Sequence, residues 1–282
     1  MIDAEVARVV IATGDLDPRV ECCGIAMLRD AGVNVTVGVM QGAADDDHAG
    51  FFQRMTQKRP FLTLKLAGTL DGRIATATGE SQWITSPDAR RAVHMMRGRH
   101  DAVMVGAGTV RADDPSLTVR GIGISRQPVR IVVSRAMNVS SHSELAHTAK
   151  HVPVWLCHGA GADVEGWTEQ GAVSLPCATI AGTVDATDAM RVLAERGITR
   201  VFCEGGGMLA ASLLNAGLVD RLVVFSAGCA IGAEGKPMLA AMGVSELRDA
   251  PKFALEDVRQ VGADICHTWR RLSAPDVGVA CK

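Results

Sequence analysis

Residues 59–120 read RPFLTLKLAGTLDGRIATATGESQWITSPDARRAVHMMRGRHDAVMVGAGTVRADDPSLTVR, and no other stretch of the chain sets so many kinds of polar side chain between apolar runs. Residues 61–67 alternate apolar residues with Thr63 and Lys65 at period two, which predicts a strand buried on at least one face with Lys65 as its single charge. Asp71-Gly72 then supplies a tight turn, because Gly tolerates positive φ and Asp hydrogen-bonds its own neighbouring backbone. A loop with Ser81 and Trp83 follows. Ser86-Pro87-Asp88 is a helix start: an N-cap hydroxyl, a proline at the first helical position and a carboxylate in the first turn. The helix is expected to run to about Arg99, burying Ala89, Ala92, Val93 and Met96, with Arg90, His94 and Arg97 on a basic second face. Solvated charge is the plain reading of such a face.

Residues 102–105 form a short apolar strand, and Gly106-Ala107-Gly108-Thr109 makes a bare turn where a ligand could approach main-chain N–H groups. The dinucleotide fingerprint is incomplete there, since Arg111 stands where its third glycine belongs. Asp113-Asp114-Pro115 reads by spacing alone as a turn or cap. Further on, Ser134-Arg135 at the end of a strand over 129–133 suits either a cofactor 2'-phosphate or a surface turn. A strand over 199–203 runs into Glu204-Gly205-Gly206-Gly207 and a helix that turns Leu209, Leu213 and Leu214 inward. That junction is either an anion-binding bend or simply a tight connection. Residues 136–150 read as a mobile polar loop.

Working outward, residues 7–12 and 33–39 read as buried strands around a helix over 21–31, a βαβ unit, and residues 42–58 as a second helix that opens on Asp45-Asp46-Asp47 and packs Phe51, Phe52 and Met55 inward. Residues 253–261 and 265–272 form a terminal antiparallel pair, and residues 276–282 fray. Strands and helices alternate to about residue 220 and strands dominate after it, so the fold class is α/β with a mainly parallel sheet and an antiparallel C-terminal edge.

The 282 residues are 48% hydrophobic, ample for a core, and the net charge of −2 leaves no electrostatic footprint for nucleic acid or an anionic membrane. No run approaches the ~20 apolar residues of a membrane span and residues 1–13 lack a signal peptide's pattern, so a soluble cytoplasmic protein is expected. The eight cysteines are scattered without a Cys-x-x-Cys pair. Most are expected to be small apolar packers, with Cys281 the one expected to be exposed and reactive. His142-Ser143-Glu144 and Pro176-Cys177 imitate parts of a zinc-deaminase signature, but the next ligand position is Ile180, so no metal site is expected.

Through TLKLAGTLDGRIATATGESQWITSPDARR, DAVMVGAGTVRADDPSLTVR and CEGGGMLAASLLNAGLVDRL, the chain resembles the reductase domain of the riboflavin-biosynthesis pyrimidine deaminase/reductase family from residue 60 to about 272. The resemblance implies a dihydrofolate-reductase-like fold over 59–282, homodimers built through it, and, over 1–58, a remnant of the deaminase-like domain without its zinc motif. It implies NADPH-dependent reduction of 5-amino-6-(5-phosphoribosylamino)uracil, with hydride delivered to C1' of the ring-opened imine. Matched position by position, it assigns Ala67, Trp83, Thr109 and Asp113 to the cofactor, with Ser134 and a phosphate turn over 206–212 that brings in Gly205, Gly206, Gly207, Met208 and Leu209. To the substrate it assigns Ser81, Arg97, Leu117, Arg120 and Glu204, the arginines facing the ribose phosphate. Asp113 is expected nearest the chemistry, with Glu204 holding the substrate and Lys65 as a third polar group. Departures at Gly228-Cys229 and before residue 60 keep three readings open: this reductase, served by a separate deaminase; a related NADPH reductase of another phosphoribosyl or pterin-like metabolite; or a non-catalytic partner subunit.

Overall fold

The computed structural model describes residues 1–17, 19 and 23–272. Its elements run β1 (Arg8–Ile11), α1 (Cys23–Asp30), β2 (Asn34–Val37), α2 (Gln41–Gln57), β3 (Phe61–Thr69), β4 (Arg73–Ala75), α3 (Pro87–Gly98), β5 (Ala102–Gly106) and α4 (Ala107–Asp113). They continue with β6 (Val129–Ser134), α5 (Glu144–His147), β7 (Val154–His158), α6 (Glu165–Glu169), β8 (Val173–Pro176), β9 (Thr179–Ile180), β10 (Thr183–Val184) and α7 (Ala186–Glu195). The last are β11 (Arg200–Cys203), α8 (Gly207–Asn215), β12 (Arg221–Ala227), β13 (Lys236–Pro237), β14 (Phe253–Val261) and β15 (Asp264–Arg271).

Among the described residues, nine strands form one sheet in the order β14-β15-β12-β3-β11-β5-β6-β7-β8. From β12 to β8 every neighbouring pair is parallel, and β14 and β15 close one edge antiparallel. This is the mixed, mostly parallel sheet expected from the alternation of elements. Such a sheet must be covered on both sides. On one face Leu62, Leu64 and Leu66 of β3 pack with Leu193 of α7 and Leu213 of α8. On the other, Val103, Val105 and Phe202 meet Ala89 and Val93 of α3, Val110 of α4, Leu145 of α5 and Trp167 of α6. Each leucine so enclosed contributes roughly 1.5–3 kcal/mol of transfer free energy.

β1 and β2 pair in parallel as a separate two-stranded sheet, as the βαβ pattern predicts, but they are not buried strands, since exposed and partly covered residues follow one another along both. Among the described residues α1 lies against β2, while Val10 and Val37 stay exposed. α2, by contrast, is fastened to the large sheet. Arg54 Nε donates to Ala194 O at 2.8 Å, Arg200 Nη2 donates to Asp46 O at 2.7 Å, and Asp46 pairs with Arg270. At Gly50 an added Cβ would stand 2.6 Å from Arg200 Cγ and 2.8 Å from Thr199 O, so the helix approaches as closely as it does because that residue lacks a side chain.

Residues 136–150 are not an open loop. Met137, Val139, Leu145, Ala146 and Ala149 are buried, α5 forms within the segment, and Trp167 Nε1 donates to Val139 O at 3.1 Å. Except for the buried Ser143, the polar residues between these apolar ones are exposed or partly covered and conceal the packing in the composition. Cys157, Cys177, Cys203 and Cys266 are buried apolar packers, while Cys281 and the expected fraying of 276–282 lie outside the described residues. Among the described residues no helix is long and apolar enough to cross a membrane.

Candidate active site

In parallel sheets with covered faces, side chains from the loops at the carboxyl ends of adjacent strands converge. Here those ends belong to β3, β11 and β5, and each is followed by a local device that fixes a polar group. Past β3, Asp71 does more than turn the chain. Its carboxylate accepts from Thr69 Oγ1 at 2.5 Å and from the N–H of Gly232 at 2.6 Å, bonds that hold it well below the usual carboxylate value, at about 2. It thereby ties the loop after β12 to the end of β3.

α3 starts as its sequence predicts: Ser86 Oγ accepts from Ala89 N at 3.3 Å with Pro87 at the first position. Its polar face carries three consecutive attachments. The Arg90 guanidinium lies 4.4 Å over the ring of Trp83, which is 69% exposed, and donates to Thr85 O at 2.7 Å. His94 Nδ1 accepts the backbone N–H of Arg120 at 3.2 Å. Arg97 grips Glu204 with both arms, Nε to Oε1 at 2.6 Å and Nη2 to Oε2 at 3.0 Å, and sends Nη1 to Thr118 O at 2.9 Å.

The Arg97–Glu204 pair is largely withdrawn from water, with 12% and 11% of the two side chains exposed. Burial would raise the Glu204 carboxyl, but Arg97 and, through space, Lys65 of β3 outweigh it and hold the group below its ordinary value, so it is ionised at neutral pH. Burial lowers Lys65, Glu204 opposes that shift and Arg97 adds to it. Two cations therefore share one carboxylate. Arg97 is no longer a solvated helix residue, and its fork is already half committed inside the protein.

Beside this cluster two bare bends touch. Gly106 caps α4 rather than opening a longer turn, and the chain after β11 bends at Gly205-Gly206 into α8. Thr109 Oγ1 accepts from the N–H of Gly206 at 3.0 Å. A Cβ on Gly205 would come within 3.0 Å of Gly106 N and 3.2 Å of Val105 Cα, so the crossing exists only because backbone meets backbone. Above Gly108 there is open space, and Met208 in the first turn of α8 is 79% exposed. The first N–H groups of α8 have no intrahelical acceptors and carry the positive end of the helix dipole, a setting that suits phosphate oxygens.

Asp113 lies one turn after Thr109 on α4, so both sit on one side of that helix, the side turned to the Gly206 bend. Asp113 is exposed, and the protein around it raises its carboxyl above the ordinary value. Leu117 is buried with φ +54°, and Arg120 is exposed at the end of the same loop. Ser81 accepts through its carbonyl from Ile84 N at 3.2 Å, and Ala67 is partly covered at the end of β3. Ser134 Oγ accepts from Met137 N at 3.1 Å and so closes the turn after β6. The structure thus joins Arg97 to Glu204 directly, with Lys65 coupled to the pair only through space, and joins Thr109 with Gly206. Leu117 and Arg120 are tied in through the Thr118 carbonyl and His94. Sequence reading gave Asp71 only its turn and left Thr118 and His94 without a role; for His94 the signal was its place between Arg90 and Arg97 on one helix face.

The family model described as the RibD C-terminal domain matches residues 60–267. The Riboflavin biosynthesis protein RibD of Escherichia coli is 36% identical over 94% of this chain and 75% of its own length, and that of Haemophilus influenzae is 36% identical over 95% and 74%. Among solved structures, Acinetobacter baumannii RibD superposes with a TM-score of 0.85 at 28% identity, covering 96% of this chain and 75% of that one. The Thermotoga maritima diaminohydroxyphosphoribosylaminopyrimidine deaminase/5-amino-6-(5-phosphoribosylamino)uracil reductase gives 0.82 at 29%, over 96% and 73%. With the family model matched over residues 60–267 and solved members superposing on the same fold, the chain belongs to the RibD reductase family of riboflavin biosynthesis.

Proposed function

We propose that this chain reduces 5-amino-6-(5-phosphoribosylamino)uracil at the expense of NADPH and carries no deaminase activity. The observation that bears most weight is the buried Arg97–Glu204 pair, with Lys65 beside it, next to the paired glycine bends. The backbone crossing at Gly205 and Gly106 and the unpaired first turn of α8 fit a dinucleotide's phosphates, with Thr109, Gly206, Gly207, Met208 and Leu209 around them and Ala67, Trp83, Asp113 and Ser134 along its length. Bound there, NADPH supplies the hydride.

The rest falls to the protein's own residues. Glu204, kept ionised by its two cations, offers negative charge where a ring-opened ribosylamine develops an iminium. Arg97 holds that carboxylate in one place through two bonds, with Lys65 adding positive charge through space, so little reorganisation accompanies the change in substrate charge. Asp113, with its carboxyl raised, is suited to exchange a proton at the mouth of the site. Arg120, together with the unused N–H groups of Arg97 and the Ser81 hydroxyl, presents donors to the ribose phosphate, and Leu117 packs behind them. Productive reaction requires donor and acceptor carbons about 3–3.5 Å apart with water excluded.

The deaminase half of the proposal is supported by sequence: residues 1–58 contain neither His-x-Glu nor Pro-Cys-x-x-Cys. A homodimer is supported by β14, among the described residues a nine-residue strand at the sheet's edge with Leu255 and Val258 exposed beside charged neighbours, since an edge of that length leaves a row of backbone groups to be paired or covered. NADPH oxidation by the purified chain, dependent on the deaminated pyrimidine and yielding its ribityl derivative without ammonia release from the aminopyrimidine precursor, is the expected result. Reduction of another phosphoribosyl or pterin-like compound in preference to this one would overturn the substrate assignment.

A further inference from the structure

The polar face of α3 is a rack on which three loops hang: Arg90 holds Trp83, Arg97 holds Glu204 and the Thr118 carbonyl, and His94 sits between them. His94 is partly buried, and its Nδ1 accepts the Arg120 N–H at 3.2 Å. A ring that accepts at Nδ1 must carry its proton at Nε2, so this bond fixes the tautomer. The imidazole also lines a recess of about 410 Å³ with Arg90, Arg91 and Arg120, where Asp88 is the single carboxylate. Leu117, three residues before Arg120, holds a left-handed backbone at φ +54°, a conformation that a bulky side chain keeps only when its surroundings impose it. Two bonds from α3 bracket the end of this loop: Arg97 to Thr118 O and Arg120 N–H to His94.

We propose that His94 is a positioning residue for the substrate-side loop over 117–120, acting through the Arg120 backbone to hold the Arg120 side chain at the recess. The role rests on the reductase reading given above. Burial first, then Arg97 and Arg120, lower the histidine's pKa, outweighing the Thr118 carbonyl and Glu204, which raise it, and so favour the accepting, neutral ring at neutral pH. Asparagine can place an acceptor oxygen near the position of Nδ1 without a ring or a titrating group; alanine cannot.

The test compares the wild-type chain with His94→Ala and His94→Asn in steady-state reduction of the phosphoribosyl pyrimidine at saturating NADPH, with thermal unfolding of each protein alongside. Loss of one anchoring hydrogen bond is expected to raise the substrate KM of His94→Ala roughly three- to tenfold, with a much smaller change in kcat and in NADPH affinity. His94→Asn is expected to return KM to within about twofold of wild type. Equal KM in all three proteins would overturn the role. So would a KM increase shared by both variants, because it would show that the ring's bulk and not its acceptor matters. A wild-type chain that fails to turn the substrate over at all is seen before any variant is made, and sinks the reductase reading together with this role.

Discussion

Replacing Glu204 by Gln removes one negative charge and almost no volume from the place where Arg97 and Lys65 share a carboxylate. In the native chain the guanidinium makes two bonds to it, at 2.6 and 3.0 Å, with about a tenth of either side chain exposed. Glutamine can accept only one of these, and its amide N–H₂ then faces the second Arg97 N–H, donor against donor. Breaking a buried pair from one side typically costs ~3–5 kcal/mol. Because water still reaches part of this pair, we take the lower end, about 3 kcal/mol of stability. If the same charge stabilises the iminium, an equal loss in the transition state corresponds to about a hundredfold in kcat/KM. Lys65 responds as well. Burial already lowers it and Glu204 opposes that, so without the carboxylate its pKa falls further and its deprotonation moves towards neutral pH. Urea denaturation and a pH profile of kcat/KM on the same protein read all three effects. A Glu204→Gln enzyme with wild-type kinetics, and stability within about 0.5 kcal/mol of wild type, would refute the reasoning, since changes of that size are ordinary for inert surface positions.

Asp113→Asn is expected to lower kcat by roughly a hundredfold while NADPH titrations change little, the scale of a lost proton-transfer group; unchanged turnover would remove Asp113 from the mechanism. Gly205→Ala drives a methyl to 3.0 Å from Gly106 N and 2.8 Å from Leu209 Cδ2, so a stability loss of roughly 1–3 kcal/mol and weaker NADPH binding are expected together. Thermal unfolding and a fluorescence titration report the two. His100 is buried and kept neutral, its Nδ1 at 2.7 Å from Met96 O and its Nε2 at 3.1 Å from Thr63 Oγ1, and burial lowers its pKa from 6.5 to about 4. Between those values the unfolded chain binds the proton first, so stability falls as pH drops, by about 2 kcal/mol from pH 7 to pH 5. His100→Gln should show a correspondingly smaller drop in urea denaturation between the same two pH values.

Local features were legible where neighbouring residues decide them. The α3 cap at Ser86-Pro87-Asp88, the β14–β15 pair and the bend after β11 follow from propensity and turn chemistry over a few residues, and the structure has each of them. The pairing of Arg97 with Glu204 was not legible, because 107 residues separate them and only the sheet order, which sets β11 between β3 and β5, brings them together. The resemblance named both as substrate residues and left their mutual bond unseen. Asp71 illustrates the same limit: its turn was read, but its grip on the backbone at 231–232 depends on β12 lying beside β3. Residues 136–150 misled for another reason. Nine of their fifteen residues are polar or charged, while the buried apolar ones that pack beside Trp167 follow no single period.

The central claim is that one cleft brings a reduced nicotinamide against the sugar carbon of a phosphoribosyl pyrimidine. NADPH carrying deuterium at either C4 position, turned over by the wild-type chain with 5-amino-6-(5-phosphoribosylamino)uracil, tests it directly by mass spectrometry and NMR of the product. One of the two labelled cofactors should place a single deuterium on C1' of the ribityl chain. Product without deuterium from either cofactor, or with the label at another carbon, would contradict the account.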